Sequence, residues 1–244
     1  AAAVRQYAHL LGDDPRFETM EIVESLTTPE VLSMSYLEGN PIDSLSTAPE
    51  KERNTAATAL LDLALREVFD WGLVQTDPNF ANYLYQPDTG RIQLLDFGAT
   101  RRYAADKQAA IRGLLHALLE GDDSEVSRCA AKVGYLDAED PPGYQERVIA
   151  LLRTATEPAR LRGDYSFASS DLAQRMSESV LAIRLREQYA RMPPPEILFL
   201  HRKLGGLYLL LSRLRAKIPV NRLVSAYLPP PQERLPANTE QLAG

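Results

Sequence analysis

Two short patterns lie close together in this chain: Asp77-Pro78-Asn79-Phe80-Ala81-Asn82, and then Asp96-Phe97-Gly98. Between them, Tyr83-Leu84-Tyr85 and Ile92-Gln93-Leu94-Leu95 flank Gln86-Pro87-Asp88-Thr89-Gly90, a turn bounded by strand-like runs. That arrangement predicts a β-hairpin with the D-x-x-x-x-N pattern at its entrance and the D-F-G pattern at its exit. Few folds place two carboxylates and an amide at the ends of one hairpin, so this segment constrains the chain more than any other.

The 244 residues, 45% hydrophobic and 25% charged, are enough for one large domain or two small ones around a sizeable core. A net charge of −6 argues against a nucleic-acid backbone as partner, because such binders present a basic face. The single cysteine, Cys129, cannot form an internal disulfide and reads as a small residue on a helix face. The longest apolar stretch, Leu204 to Leu211, contains Gly205 and Gly206 and is far short of the ~20 residues a membrane span needs. His9 and His116 share no metal-ligand spacing with other donors.

Helical periodicity from Ala1 to Leu11 stops at Gly12-Asp13-Asp14-Pro15, and two β-like runs follow, Met20 to Val23 and Val31 to Tyr36. Thr47 to Glu50 reads as a capping box before a helix whose Ala57, Leu60, Leu61, Ala64, Val68 and Phe69 form one apolar face and which ends at Gly72. After Asp106 the chain reads as helical: 107–120, 124–133, 144–156, 172–190 and 196–217. The Pro-rich tail from Leu228 to Gly244 reads as mobile. Leu207, Leu210, Leu211 and Leu214 form a core stripe, and Trp71 is expected to pack the base of the loop that starts at Asp77. His201-Arg202-Lys203 reads as a solvated or inter-helix hydrogen-bonding segment, and mid-helix Gly205 and Gly206 imply close backbone packing.

Oxygen donors suit magnesium, and phosphoryl transfer asks a protein mainly for metal ligands and a group that orients the nucleophile. Asp96 and Asn82 are the candidate metal ligands, and Asp77 is the candidate acceptor of a proton from an attacking hydroxyl or water. The bland alternative is that Asp77 and Asp96 only cap turns.

Val74-Gln75-Thr76-Asp77-Pro78-Asn79-Phe80-Ala81-Asn82, Leu94-Leu95-Asp96-Phe97-Gly98-Ala99-Thr100-Arg101 and Leu200-His201-Arg202-Lys203-Leu204-Gly205-Gly206 together resemble the UbiB/AarF-type atypical kinases. The Gln-Thr-Asp-Pro-Asn form looks most like the coenzyme Q-linked branch, and the similarity runs from about Ala2 to Tyr227. The resemblance implies an α+β, protein-kinase-like fold: a remnant of the small lobe with the hinge over 1–39, a mostly helical large lobe over 40–227 and a tail over 228–244. It also implies an enzyme of the kinase or ATPase type that binds ATP and Mg2+ and supports ubiquinone biosynthesis. Asp77 is then catalytic, Asn82 and Asp96 bind metal, Met34 is the gatekeeper, and Ser35, Tyr36 and Leu37 form the hinge that meets adenine. Implied partners are a quinone-precursor lipid and ubiquinone-synthesis proteins, with peripheral membrane contact, at the matrix side of the mitochondrial inner membrane or in the bacterial cytoplasm or inner-membrane periphery.

Departures from ordinary protein kinases narrow the expectation. Gln75-Thr76 replaces His-Arg, and no A-P-E follows D-F-G, which disfavours phosphorylation control and peptide docking. The first lysine is Lys51, and no glycine-rich loop precedes Gly39. The family's Lys-x-Gly-Gln segment, its alanine-rich loop and its helical glutamate are likewise not found. The expectation is a fragment that binds nucleotide weakly and is inactive alone. A nucleotide-sensing scaffold without obligatory catalysis remains an alternative, as does an aminoglycoside-phosphotransferase-like kinase, although the latter leaves His201 to Gly206 unexplained.

Overall fold

The structure is a computed structural model that describes residues 1–186 and 192–228. Its elements run α1 (Ala2–Leu11), β1 (Phe17–Thr19), β2 (Asn40–Pro41), α2 (Glu50–Arg66), β3 (Leu73–Gln75), β4 (Tyr83–Gln86), β5 (Arg91–Leu94) and β6 (Thr100–Arg102). They continue with α3 (Ala105–Glu120), α4 (Asp123–Val133), α5 (Pro142–Ala155), α6 (Glu157–Arg160), β7 (Tyr165–Ser166), α7 (Leu172–Arg186), α8 (Pro195–Arg213), β8 (Lys217–Ile218) and α9 (Val220–Ser225). The α+β expectation holds: small sheets are embedded in a largely helical body.

The hairpin forms where the turn chemistry puts it. β4 and β5 pair antiparallel from Tyr83↔Leu94 to Gln86↔Arg91, with Gly90 supplying a positive φ of 71°. β1 adds in parallel on the β5 side and β2 antiparallel on the β4 side, giving the order β1-β5-β4-β2. β1 was not legible in the sequence. The two runs read as strands instead meet only at an isolated Ile22↔Met34 bridge, with Val23 N–H on the Ser33 carbonyl and Ser35 N–H on the Glu21 carbonyl. A 3-10 turn at Glu24–Leu26 and the Pro29 turn between the runs leave too few residues in register to extend a ladder.

Helix α2 is the centre of the body. Ala56, Ala59, Leu60 and Leu63 face a core built with α1, the hairpin sheet and Leu210 and Leu214 of α8. Ala57, Leu61 and Leu65 face a second core with Phe167, Leu211, Ile218 and Val224. The single apolar face read from the sequence is therefore a helix buried on two sides, because its alanines let neighbours approach where larger residues would expose a seam. The capping box does not form: Pro49 is the N-cap, no side chain caps the helix, and Thr47 instead donates to the Ser44 carbonyl at the end of a 3-10 turn. The fixed φ of Pro49 starts the helix, so the threonine is left two residues too early. After Arg66 the helix widens into a π turn, Glu67–Trp71, and ends at Gly72 with φ 57°.

A third core joins α3, α4 and α5, with Cys129 inside it. α7 is seen to Arg186, so the end of its predicted span lies outside the described residues, as does the predicted tail from 229 onward. α8 begins at Pro195, a favoured first-turn position, and stops at Arg213, four residues short of expectation. It stops because Arg215 takes φ 52° and the next residues pair as β8 with β7, Tyr165↔Ile218. Leu210, Leu211 and Leu214 are buried as the core stripe requires.

The turn after α1 is tied to α2 by charge. Arg16 donates to both Asp14 carboxylate oxygens at 2.9 and 2.7 Å and also pairs with Asp62 at 2.7 Å, while Arg66 reaches Asp14 at 2.7 Å. The Arg16 guanidinium, aided by Arg66 and opposed by burial, holds the Asp14 carboxyl well below the usual carboxylate range. A depressed folded pKa means that the unfolded chain takes up the proton first. The stabilisation is therefore present above about pH 4 and fades as pH falls below it. Denaturant unfolding of Asp14→Asn beside the parent should show a deficit on the order of 2 kcal/mol at pH 7 that narrows at pH 3. An equal deficit at both values would contradict this role.

Candidate active site

β3 carries the chain into the loop through buried Gln75 and Thr76. Thr76 binds the segment beyond D-F-G twice, its N–H and its Oγ1 both donating to the Ala99 carbonyl at 3.1 and 2.6 Å. β3 also pairs with β6 from Leu73↔Arg102 to Gln75↔Thr100. On the other side of the hairpin, Leu95 N–H donates to the Asn82 carbonyl at 3.0 Å. The two sequence patterns are thus stitched together at both ends.

Within the loop, Asn79 caps the 3-10 turn Phe80–Asn82 by accepting from Ala81 N–H at 3.0 Å. That turn aims buried Asn82 at Asp77, and its Nδ2 donates to Asp77 Oδ2 at 3.1 Å. Because a carboxylate only accepts, this bond fixes the amide orientation and leaves Asn82 Oδ1 available as an oxygen ligand. Asp96 is exposed and accepts Gly98 N–H on Oδ1 at 2.7 Å, which leaves Oδ2. Phe97 is buried against the Tyr7 ring, 4.5 Å between centroids, and so anchors the D-F-G turn to α1.

Asn82 and Asp96 border one cavity of about 10 Å³, together with Glu67, Gln75 and Phe97. That is room for about one water, and the buried Gln75 amide has no protein partner among the described residues. No group of three or more His, Cys, Asp and Glu side chains gathers among the described residues. A cation here would take an amide and a carboxylate from the protein and the rest from outside it. Magnesium, which keeps waters and phosphate oxygens, is bound in that way.

α8 closes the site, and of the two roles expected for its His201-Arg202-Lys203 segment Lys203 takes the inter-helix one. Lys203 is not solvated. Its Nζ lies 2.9 Å from Glu67 Oε2 with only 5% and 1% of the two side chains exposed, a contact ion pair off the line of an aligned hydrogen bond. The Tyr83 hydroxyl lies 3.3 Å from the same ammonium, and the Tyr7 hydroxyl faces Glu67 Oε1 and the Leu73 carbonyl, each at 3.1 Å. Burial works against a charged Lys203, but Glu67 and Tyr83 outweigh it and raise its pKa. Burial also pushes the Glu67 carboxyl up, with Lys203 opposing.

Arg202, one residue earlier, points at the loop and donates Nη2 to Asp77 Oδ1 at 3.0 Å. A Cβ on Gly206 would stand 1.9 Å from Pro78 Cβ, so only glycine lets the helix backbone rest on the loop. Gly205 has open space around it, and the expectation of close packing fails there. His201 reaches the bend after α4, stacked on Tyr135 at 5.5 Å and bonded to its hydroxyl at 2.5 Å, and desolvation lowers its pKa. Trp71 meets Tyr7 edge-on at 5.9 Å and stands under the Arg66 guanidinium at 4.7 Å.

The predicted hinge begins at the isolated Ile22↔Met34 bridge. Ser35 uses its N–H on the Glu21 carbonyl, and its Oγ accepts from Glu21 N–H at 2.9 Å. Met34 is exposed, and the Tyr36 side chain is the most exposed large apolar group described, at 86%. Leu37 packs against the first core. The Tyr36 and Leu37 backbone groups have no partner among the described residues.

Residues 1–130 match the ABC1 atypical kinase-like domain. The chain belongs to the ABC1 atypical kinase-like family. It is 33% identical over 218 residues to the rat (Rattus norvegicus) protein named atypical kinase COQ8B, mitochondrial, covering 89% of this chain and 41% of the relative. It is 33% identical over 227 residues to the Saccharomyces cerevisiae atypical kinase COQ8, mitochondrial, covering 91% and 44%. The chain thus spans less than half the length of these relatives. Among solved structures it resembles the Mycobacterium tuberculosis protein Rv3197, seen in complex with erythromycin, at TM-score 0.72 and 20% identity, over 93% of this chain and 56% of that one. That likeness carries the kinase-like fold.

The buried pair and the glycine contact give two tests. Lys203→Met alone leaves an unpaired buried carboxylate and should cost roughly 3–5 kcal/mol in chemical denaturation, whereas Lys203→Met with Glu67→Met should recover most of it. No recovery in the double variant would show that the charge itself is needed. In thermal melts Gly205→Ala should stabilise by about 1 kcal/mol, and Gly206→Ala should destabilise by about 1–3 kcal/mol. Equal melting temperatures would mean that α8 does not rest on Pro78.

Proposed function

We propose that this chain forms the large-lobe site of an atypical kinase or ATPase that binds Mg-ATP. Asn82 Oδ1 and Asp96 hold the metal, and Asp77 orients the nucleophile and takes its proton. The observation that supports this most is the Asn82–Asp77 bond at 3.1 Å, which turns one loop's amide oxygen toward the space that Asp96 also borders. Held by those two side chains, magnesium would supply positive charge against the phosphates. Adenine would meet the backbone of Ser35 to Leu37, with Met34 beside it.

By the names of its relatives, the natural protein works in mitochondria as an atypical kinase. By the resemblance set out above, its role is to support coenzyme Q biosynthesis, in contact with quinone-precursor lipid and the enzymes that process it. The short passage from Gly98 to α3 leaves little chain for a peptide-docking segment, which suits a small or lipidic acceptor, or water.

Calorimetry on the natural full-length protein tests the reading. Asp96→Asn should weaken Mg-ATP binding by tenfold or more, while Asp77→Asn should bind normally and lose turnover, by roughly 10²-fold or more. Asp96→Asn binding Mg-ATP like the parent would overturn the metal assignment. Retained quinone production in cells carrying Asp77→Asn would make nucleotide binding, rather than chemistry, the function.

A further inference from the structure

The loop from Asp77 to Asn82 contains no lysine or arginine. Phosphoryl transfer spreads negative charge over the migrating group, and a site with one metal and two carboxylates leaves part of that charge uncompensated. α8 brings a cation to this place from 125 residues away in sequence. The Arg202 side chain is 61% exposed, touches Asp77 through Nη2 alone, and has no partner for Nε or Nη1 among the described residues. Neighbouring cations are engaged elsewhere: Lys203 is buried on Glu67, and the Arg101 guanidinium lies 4.8 Å from the Phe199 ring centre. Arg202 is also held at fixed range, since Gly206 one turn on rests against Pro78 of the same loop.

A solvent-exposed arginine–carboxylate pair contributes little to stability, about 0–1 kcal/mol. A merely structural role would therefore be a weak reason for this contact. A guanidinium is planar, always charged and able to serve two oxyanions at once, which a lysine cannot do with the same geometry.

We propose that Arg202 is a catalytic residue, steadying Asp77 while offering its free N–H groups to the phosphoryl group in transfer. The inference rests on the Mg-ATP reading given above. In the step, the bond between the γ-phosphorus and the β–γ bridging oxygen breaks and its electron pair stays on ADP. A bond forms from the nucleophile's oxygen to the phosphorus, and the nucleophile's proton passes to Asp77. Arg202 forms no covalent bond; it stabilises the charge on the equatorial oxygens, and the Asn82 contact keeps the second Asp77 oxygen in place.

The test uses the natural full-length protein and Arg202→Ala, with Arg202→Lys as the conservative variant. Affinities for Mg-ADP, and for Mg-ADP with aluminium fluoride as a mimic of the group in flight, are measured beside steady-state ATP hydrolysis. Arg202→Ala should leave Mg-ADP affinity within about twofold, weaken the aluminium fluoride complex and lower kcat by roughly 10²-fold with little change in KM. Free guanidinium should restore part of kcat, and lysine should restore less than arginine. Unchanged aluminium fluoride affinity and kcat would reduce Arg202 to a surface ion pair. Equal loss of both nucleotide complexes with a lowered melting temperature would make it structural; either result overturns the proposal. If the parent binds no Mg-nucleotide at all, the Mg-ATP reading fails and this inference falls with it.

Discussion

The placement of the site rests on the buried ion pair between Lys203 and Glu67. α8 and the π turn after α2 are far apart in sequence, and this pair fixes how far one slides along the other. Its value lies in register more than in net energy, since apolar residues of similar size could replace it at little cost, whereas a half-broken pair leaves an uncompensated charge in the core. With Lys203 seated, Arg202 meets Asp77 and Gly206 meets Pro78. Shifting α8 by one residue would turn its side chains by about 100° and remove all three contacts.

Above that base, the loop and the D-F-G turn are organised by short-range hydrogen bonds that need no ligand. Thr76 binds Ala99, Leu95 binds Asn82, Asn79 caps its own turn, and Gly98 binds Asp96. The Asn82–Asp77 bond leaves Asn82 Oδ1 free and the Gly98–Asp96 bond leaves Asp96 Oδ2 free, and these are oxygens that a hard cation would take. Both oxygens of Asp77 are engaged, by Asn82 on one side and Arg202 on the other, so its carboxylate is held in one orientation. Ordinary protein kinases place an arginine directly before the catalytic aspartate. Here Thr76 stands directly before Asp77 and ties loop to loop, and the arginine beside Asp77 comes from α8.

Local chemistry was legible in the sequence and distant pairing was not. The hairpin, the glycine end at Gly72 and the proline start of α8 followed from turn and cap preferences that act within a few residues. The order of the two aspartates and the asparagine brought Asp77 and Asn82 into contact and set Asp96 at the same cavity. The strands β1, β6, β7 and β8 run only two or three residues, and β1 and β8 owe their existence to partners far along the chain. Lys203 and Glu67 were also missed, although a signal was present. Lys203 falls between Leu200 and Leu207 on the apolar stripe of α8, and Glu67 lies between Leu63 and Val68 in the run of α2. A charge at a core position in each of two helices asks for the other. Arg202 gave no such signal, because its helix position is exposed and only the folded loop shows what it reaches.

The proposed site would take one magnesium ion, carried in with ATP, between Asn82 of the loop before the hairpin and Asp96 after it. A crystal structure of the natural protein with Mn2+ in place of Mg2+ and a non-hydrolysable ATP analogue, using the metal's anomalous signal, addresses this directly. The account predicts an anomalous peak within about 2.0–2.3 Å of both Asn82 Oδ1 and an Asp96 carboxylate oxygen, with phosphate oxygens completing the shell. A metal peak away from these two side chains, or nucleotide bound with Asn82 and Asp96 turned apart, would contradict it.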